Sequence, residues 1–271
     1  MNDRVGGFPT IPKKEDLLRI KKAMENSLAT AELAVKLFAK LDCPRFSESD
    51  NVLMALDSGE KFGFIGDYVL TSDGKRRKIE DYRALTNEKT VKHSHAKHSS
   101  YNGSSFMVGA LPRVLLCRDK LSGRARELFN EYAGKLNARN SLLNNLAQSI
   151  ELVHSVERCI GDIDLLLSNG LEKEELVDVE PKAGRGVGAV EAPRGILYHE
   201  YVFDEKGCIK NANVITPTAQ NAANIEKDVK VAVERLAGKP KDEIKHGLEV
   251  IARAYDPCVS CSVHMVTVKF L

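Results

Sequence analysis

The residues best equipped for chemistry stand near the end of the chain, in "AYDPCVSCSVH", where Cys258 and Cys261 are followed by His264. Thiolates three residues apart can both face one borderline or soft metal ion, the geometry of a Cys-x-x-Cys half-site. The same spacing serves a thiol–disulfide pair, whose reactive thiol sits at the N-terminus of a helix. Only the β-prone "SVHMVTVKFL" follows here, a poor start for such a helix. A closed zinc site needs two further ligands, usually a second Cys-x-x-Cys, and no other such pair occurs in the chain. Spacing therefore leaves three readings open: a metal half-site, a redox pair, or a coincidence of two thiols.

Other conspicuous residues carry plainer expectations. "HSHAKHS" offers His93, His95 and His98, but nothing near it in sequence completes a ligand set, so a solvated or interface-lining loop is expected. "GRGVG" at 184–188 resembles a phosphate loop without the helix that should follow. "GKRRK" at 74–78 reads as an exposed turn. Cys43, Cys117, Cys159 and Cys208 are scattered in or near apolar stretches and read as small buried hydrophobes. His154, His199 and His246 fall in helical or strand patterns and read as hydrogen-bonded structural groups.

The elements that must position these residues follow from periodicity. Residues 14–41 repeat apolar side chains at three- and four-residue intervals, among them Leu17, Leu28, Val35 and Phe38, and predict a long helix. A short helix is expected over 48–56, then two strands across the Ser-Asp-Gly turn of "FGFIGDYVLTSDGKRRKI". Residues 85–109 lose all period and predict an irregular segment of the kind that lines interfaces or sites. A helical block over 124–167 is either one helix or two joined near 137–140. A loop with a turn of helix precedes "GILYHEYVFDEKGCIKNANVI", which predicts a hairpin turning at Asp204–Gly207. Helices over 218–237 and 241–254 flank Gly238-Lys239-Pro240. The fold class is mainly α with small antiparallel β pieces.

Composition narrows the function classes. Hydrophobic residues make up 43% of the 271 residues and charged residues 29%, as in ordinary globular proteins. Forty basic against 38 acidic residues leave a net charge of +2, too little to point to nucleic acid or an anionic membrane. The apolar runs are too short to cross a bilayer. "MNDRVGGFPTIPKKEDL" lacks the apolar core of a secretory signal, so a cytoplasmic protein of one or two domains is expected.

Several motifs, in order along the chain, resemble one family. "DPCVSCSVH" is similar to the C-terminal signature of nickel–iron hydrogenase large subunits, most of all the cytoplasmic, NAD(P)-coupled, sulfhydrogenase-like group. "EAPRG", the "VITPTAQN" that follows it, "KHSHAKHSSYNGSSFMVGALPRV" and "VGGF" resemble segments of the same family. The resemblance implies the large-subunit fold, with residues 1–271 as its C-terminal part, N-terminally truncated. It implies nickel, iron with cyanide and carbonyl ligands, and magnesium as cofactors. Cys258 would be a terminal nickel ligand and proton acceptor, and Cys261 would bridge nickel and iron. Arg194 would stand beside the open metal position, oriented by Asp256, with Pro193 and Thr218 around the iron's diatomic ligands. His264 and the carbonyl of Val214 would bind magnesium. Implied partners are an iron–sulfur small subunit, diaphorase-like subunits, and a maturation endopeptidase that cuts after His264 to release "MVTVKFL", residues 265–271.

The chain departs from that family at one point. The first pair, R-x-C-G-x-C, has no counterpart, since Cys43 in "KLDCPRF" has no partner within three residues. Four thiolates are implied and two are present. The expected function is hence part of a hydrogenase catalytic subunit, incomplete as a single chain. The alternatives are a non-catalytic homologue kept as a scaffold, and a mononuclear zinc or nickel protein.

Overall fold

The computed structural model describes residues 10–172 and 177–262. In chain order these form α1 (Lys14–Lys40), β1 (Val52–Asp57), β2 (Tyr68–Thr71), β3 (Arg76–Lys78), β4 (Lys89–Val91), β5 (Ser94–His98), β6 (Phe106–Met107) and α2 (Ala110–Leu116). The rest comprises α3 (Gly123–Tyr132), α4 (Asn144–Asn169), β7 (Gly184–Ala192), β8 (Gly195–Phe203), β9 (Ile209–Ile215), α5 (Pro217–Arg235), α6 (Lys241–Tyr255) and the single turn α7 (Val259–Ser262). The helix-dominated expectation holds. The strands form a four-stranded sheet ordered β3-β2-β1-β6, the β4–β5 hairpin and the β7-β8-β9 meander. One pair, β1 with β6, is parallel rather than antiparallel.

Two apolar clusters organise the molecule. The larger lies among the helices, where α1 packs along α4 and α4 meets α2 and α6, with Val35, Leu111, Ile150 and Ile251 in the cluster. The smaller joins the two larger sheets through Met54, Leu56, Phe106, Ile196 and Tyr198. Tyr82 stacks on Tyr198 there, with ring centroids 5.1 Å apart. On α1 only one stripe is buried, Leu17, Ala31, Val35 and Ala39, whereas Leu18, Leu33 and Leu37 of the same pattern face outward.

Three expectations need correction. Residues 52–57 are a strand, not the end of a helix, because Leu53 through Leu56 form an unbroken apolar run. Such a run suits a strand covered on both faces and carries no period to separate it from a short helix. Of the two readings of the long block, the structure has two helices, α3 and α4, separated at 133–143. "GRGVGAVEA" is β7, paired with β8 over all nine residues, so the glycines at 184, 186 and 188 belong to a strand and not to a phosphate loop. The supposedly irregular 85–109 contains three short strands. Within "GKRRK", Arg76–Lys78 are exposed on the edge strand β3.

Candidate active site

The turn between β7 and β8 consists of Pro193 and Arg194, enclosed by the Ala192–Gly195 pair. Gly195 has φ +133°, and a Cβ there would lie 2.3 Å from Val108 Cγ2, so only glycine admits the approach of this turn to the Val108–Gly109 backbone. Arg113 of α2 supports the turn from below and is 2% exposed. Its Nε and Nη2 donate to Glu151 of α4 at 2.6 and 2.7 Å, and its Nη1 donates to Glu191 at 2.8 Å. The remaining N–H groups reach the carbonyls of Ala192 and Pro193, each at 3.0 Å. All five guanidinium donors are thus used. Burial works against this charge, but Glu151 and Glu191 hold the guanidinium more firmly protonated than in water.

The other half of the site is the end of α6. Asp256 caps that helix in the left-handed region, φ 49° and ψ 55°, and Pro257 prevents continuation. The reversal brings Asp256 to Arg194. Its carboxylate lies 2.9 Å from Nη2, and its carbonyl accepts from Nε. The Cys258 N–H donates to Thr218 Oγ1 at 3.1 Å. Thr218 stands in the first turn of α5, which starts where the sequence signals it, with Thr216 accepting from the Ala219 N–H and Pro217 at the first helical position.

In the single turn of α7, the Cys261 N–H donates to the Cys258 carbonyl at 3.0 Å. A hydrogen bond from Cys261 holds the Cys258 thiol below its ordinary pKa, helped by Ser260 and by the charge of Arg194. The same contact holds the Cys261 thiol above it. Residues 259–262 form one helical turn, too short to act as a redox-active helix, and the β-prone stretch after Ser262 lies outside the described residues.

A buried polar network fixes the approach to this end. Tyr255, 3% exposed, donates to Asp228 at 2.7 Å and accepts from Asn224 at 2.7 Å. Asp228 also accepts from Ser141 at 2.6 Å and Ser49 at 3.2 Å. Burial pushes its carboxyl above the usual carboxylate range despite these donors. One turn earlier on α5, Asn221 exchanges hydrogen bonds with both backbone groups of Val108 and donates to the Arg194 carbonyl at 3.4 Å. Asn221, Asn224 and Asp228 were not anticipated as site-building residues. Their signal was available: polar side chains at helical spacing on the face of α5 that carries buried Ala232.

Arg194, Asp256, Thr218, Cys258 and Cys261 come together, and Pro193 adjoins them through the turn. Val214 lies on β9 opposite His199, two residues before the cap of α5. His264 and residues 265–271 lie outside the described residues. Of the scattered cysteines, Cys117 is buried and its thiol is pushed up to about 11 by that burial, whereas Cys43 and Cys159 are half-buried. Cys208, against expectation, is exposed at the β8–β9 turn. His154 is partnered by the Phe62 carbonyl and His199 by the Tyr201 hydroxyl, whereas His246 is exposed. Among the described residues no further Cys, His, Asp or Glu closes on Cys258 and Cys261 as a ligand cluster. The described part of this chain thus furnishes two thiolates and does not by itself hold a four-thiolate nickel–iron group.

Comparison with known proteins gives a consistent result. Sulfhydrogenase 1 subunit alpha of Pyrococcus furiosus is 40% identical over 268 residues, which cover 98% of this chain and 62% of that protein. The NAD-reducing hydrogenase HoxS subunit beta of Cupriavidus necator is 35% identical over 183 residues, 64% of this chain and 37% of that one. The crystal structure of an NAD+-reducing NiFe hydrogenase in the H2-reduced state shares the fold, with a TM-score of 0.78 at 24% identity over 95% of this chain and 62% of the other. The chain therefore spans less than two thirds of the length of these relatives. No helix among the described residues is long and apolar enough to cross a membrane. The nickel-dependent hydrogenase family matches residues 69–264, a span that contains the Arg194 turn and both cysteines, and the chain belongs to that family.

Proposed function

We propose that this chain forms the C-terminal part of the catalytic subunit of a nickel–iron hydrogenase, which cleaves and forms H2 heterolytically within a multi-subunit complex. The observation that carries this reading is the Arg194–Asp256 ion pair joined to the turn whose Cys258 N–H is held by Thr218. A nickel–iron group with cyanide and carbonyl ligands would supply the hydrogen-activating chemistry when bound. Cys258 and Cys261 would be two of its thiolate ligands, and Cys258 could accept a proton at Sγ. Asp256 grips Arg194 at two points and so fixes a cation at the thiolate. Thr218 steadies the Cys258 backbone, and Pro193 lends the turn its shape. His264 and the Val214 carbonyl serve a magnesium ion. Electrons would leave through an iron–sulfur small subunit and pass to NAD(P) through diaphorase-like subunits; the name of one relative, an NAD-reducing hydrogenase, supports the nicotinamide acceptor. The exposed leucines of α1 suit a chain that works inside an assembly.

The test is the complex isolated from its native source. Expected are nickel and iron in equal amounts, H2-dependent reduction of an artificial dye, and loss of both nickel and activity in Cys258→Ser. Full hydrogen activity in that variant would overturn the reading. An intact mass short by "MVTVKFL" would reveal the endopeptidase cut after His264. A metal-free complex without hydrogen activity would favour the second reading, a non-catalytic scaffold homologue.

A further inference from the structure

The β4–β5 hairpin and α5 bring together three donors that the hydrogenase reading does not use. His93 sits at the tip of the hairpin, His98 at the end of β5, and Glu226 on the third turn of α5. Glu226 Oε1 lies 2.6 Å from His93 Nε2 and 3.5 Å from His98 Nε2. The ligand atoms of all three residues fall within 4.8 Å of one another. Among the described residues this is the one such convergence of three His, Cys, Asp or Glu side chains. The sequence, which separates Glu226 from His93 by more than a hundred residues, could not show it.

We propose that His93, His98 and Glu226 form a binding site for a single divalent transition-metal ion of the zinc class, distinct from the cysteine site. Two imidazoles and a carboxylate are a zinc donor set that leaves a fourth position for water. Donors of a tetrahedral site with bonds of about 2.0–2.2 Å lie about 3.3–3.6 Å apart. The His98–Glu226 separation already has that value. His93 approaches Glu226 at hydrogen-bonding distance and must withdraw by roughly 0.8 Å, which its 62%-exposed side chain allows. The His98 side chain is 6% exposed and fixed by packing, so it serves as the rigid ligand, with the mobile His93 closing over the ion. Lys89, opposite His98 in the hairpin register, is the nearby cation, and the Glu226 charge offsets it. The metal would staple the hairpin to α5, the helix whose first turn holds the Cys258 backbone through Thr218, and β5 also packs against α7. The site would thus brace the cysteine turn through α5 and β5.

The experiment uses the full chain carrying Cys258→Ser and Cys261→Ser, so that thiolates do not compete. Zinc binding is followed by calorimetry, and cobalt binding by its visible d–d absorption. One equivalent of each is expected, with a tetrahedral cobalt spectrum free of the thiolate charge-transfer band. Glu226→Gln and, separately, His93→Ala should weaken zinc by more than roughly 100-fold, the upper end of what loss of a mere supporting partner costs. Both positions are exposed enough that circular dichroism should be unchanged. Absence of zinc binding in the serine background, or binding that neither variant weakens, overturns the proposal.

Discussion

Gly195 shows how much one residue carries. Its φ of +133° lies where L side chains rarely go, and the Cβ it lacks would press into Val108. The residue before it is Arg194, whose carbonyl is held by Asn221 and whose guanidinium is held by Asp256. Gly195→Ala must therefore either displace Val108 from the sheet cluster or open the turn that aims Arg194. Overpacking and backbone strain at such a site cost about 1–3 kcal/mol each. The expected outcome is a urea midpoint lowered to match, together with an altered pKa of Cys258 read by the pH dependence of thiol alkylation, because the Arg194 charge moves. An alanine variant with the parent's midpoint and alkylation profile would show that the turn is slack.

At the scale of elements, ion pairs lock β7 and β8 to the sheet cluster. Glu200 on β8 accepts from Tyr82 at 2.5 Å, Arg185 of β7 at 2.6 Å and Arg83 at 2.9 Å. Those donors, Tyr82 foremost and then Arg185, hold its carboxyl down at about 2. An unfolded glutamate titrates near 4.3. A pKa depressed in the folded state adds stability that is complete above the unfolded value and is lost as pH falls toward the folded one. The stability gap between the parent and Glu200→Gln is therefore expected to be widest at pH 7 and to close between about pH 4.5 and 2. A gap of constant size over that range, measured by urea denaturation, would remove Glu200 as the lock. This lock also explains what sequence reading could and could not reach. The α5 and α6 helices and the β8–β9 hairpin announce themselves through Thr216-Pro217, Asp256-Pro257 and Asp204–Gly207. The strand β7 does not, because its alternating glycines imitate a loop, and only the bonds of its Arg185 to Glu200 across the sheet and of its Glu191 to Arg113 reveal what it is for. The cysteines and Arg194 were legible from their motifs. The residues that set their geometry were less so: Asn221 and Asp228 show only as polar positions at helical spacing, and the partners of Arg113, Asn221 and Asp228 are distant in sequence.

The whole molecule exposes more apolar surface along α1 than its own packing explains. Leu33 and Leu37 are 62% and 58% exposed, on the face of α1 opposite the buried Ala31, Val35 and Ala39, and Leu41 just past its end is 54% exposed. Leu41 also lines an apolar groove of about 240 Å³ with Phe38, Leu142, Leu146 and Val250. A helix that packed only on α4 would carry polar residues on its outer face. Burying one leucine side chain contributes about 1.5–3 kcal/mol, so two leucines buried against a companion chain are worth more than a tenfold change in affinity. In the isolated chain the same residues face water, and exchanging them for glutamate should move stability by no more than about 0.5 kcal/mol. The Leu33→Glu, Leu37→Glu double variant separates the two cases. Its urea midpoint as an isolated chain is expected to match the parent, whereas its recovery with the companion subunits from the native complex is expected to fall at least tenfold. Equal recovery would mean that α1 faces solvent in the assembly. A lowered midpoint with equal recovery would place these leucines in the chain's own core. Loss of the complex with the fold intact is the outcome expected of a helix whose outer leucines are covered by another subunit.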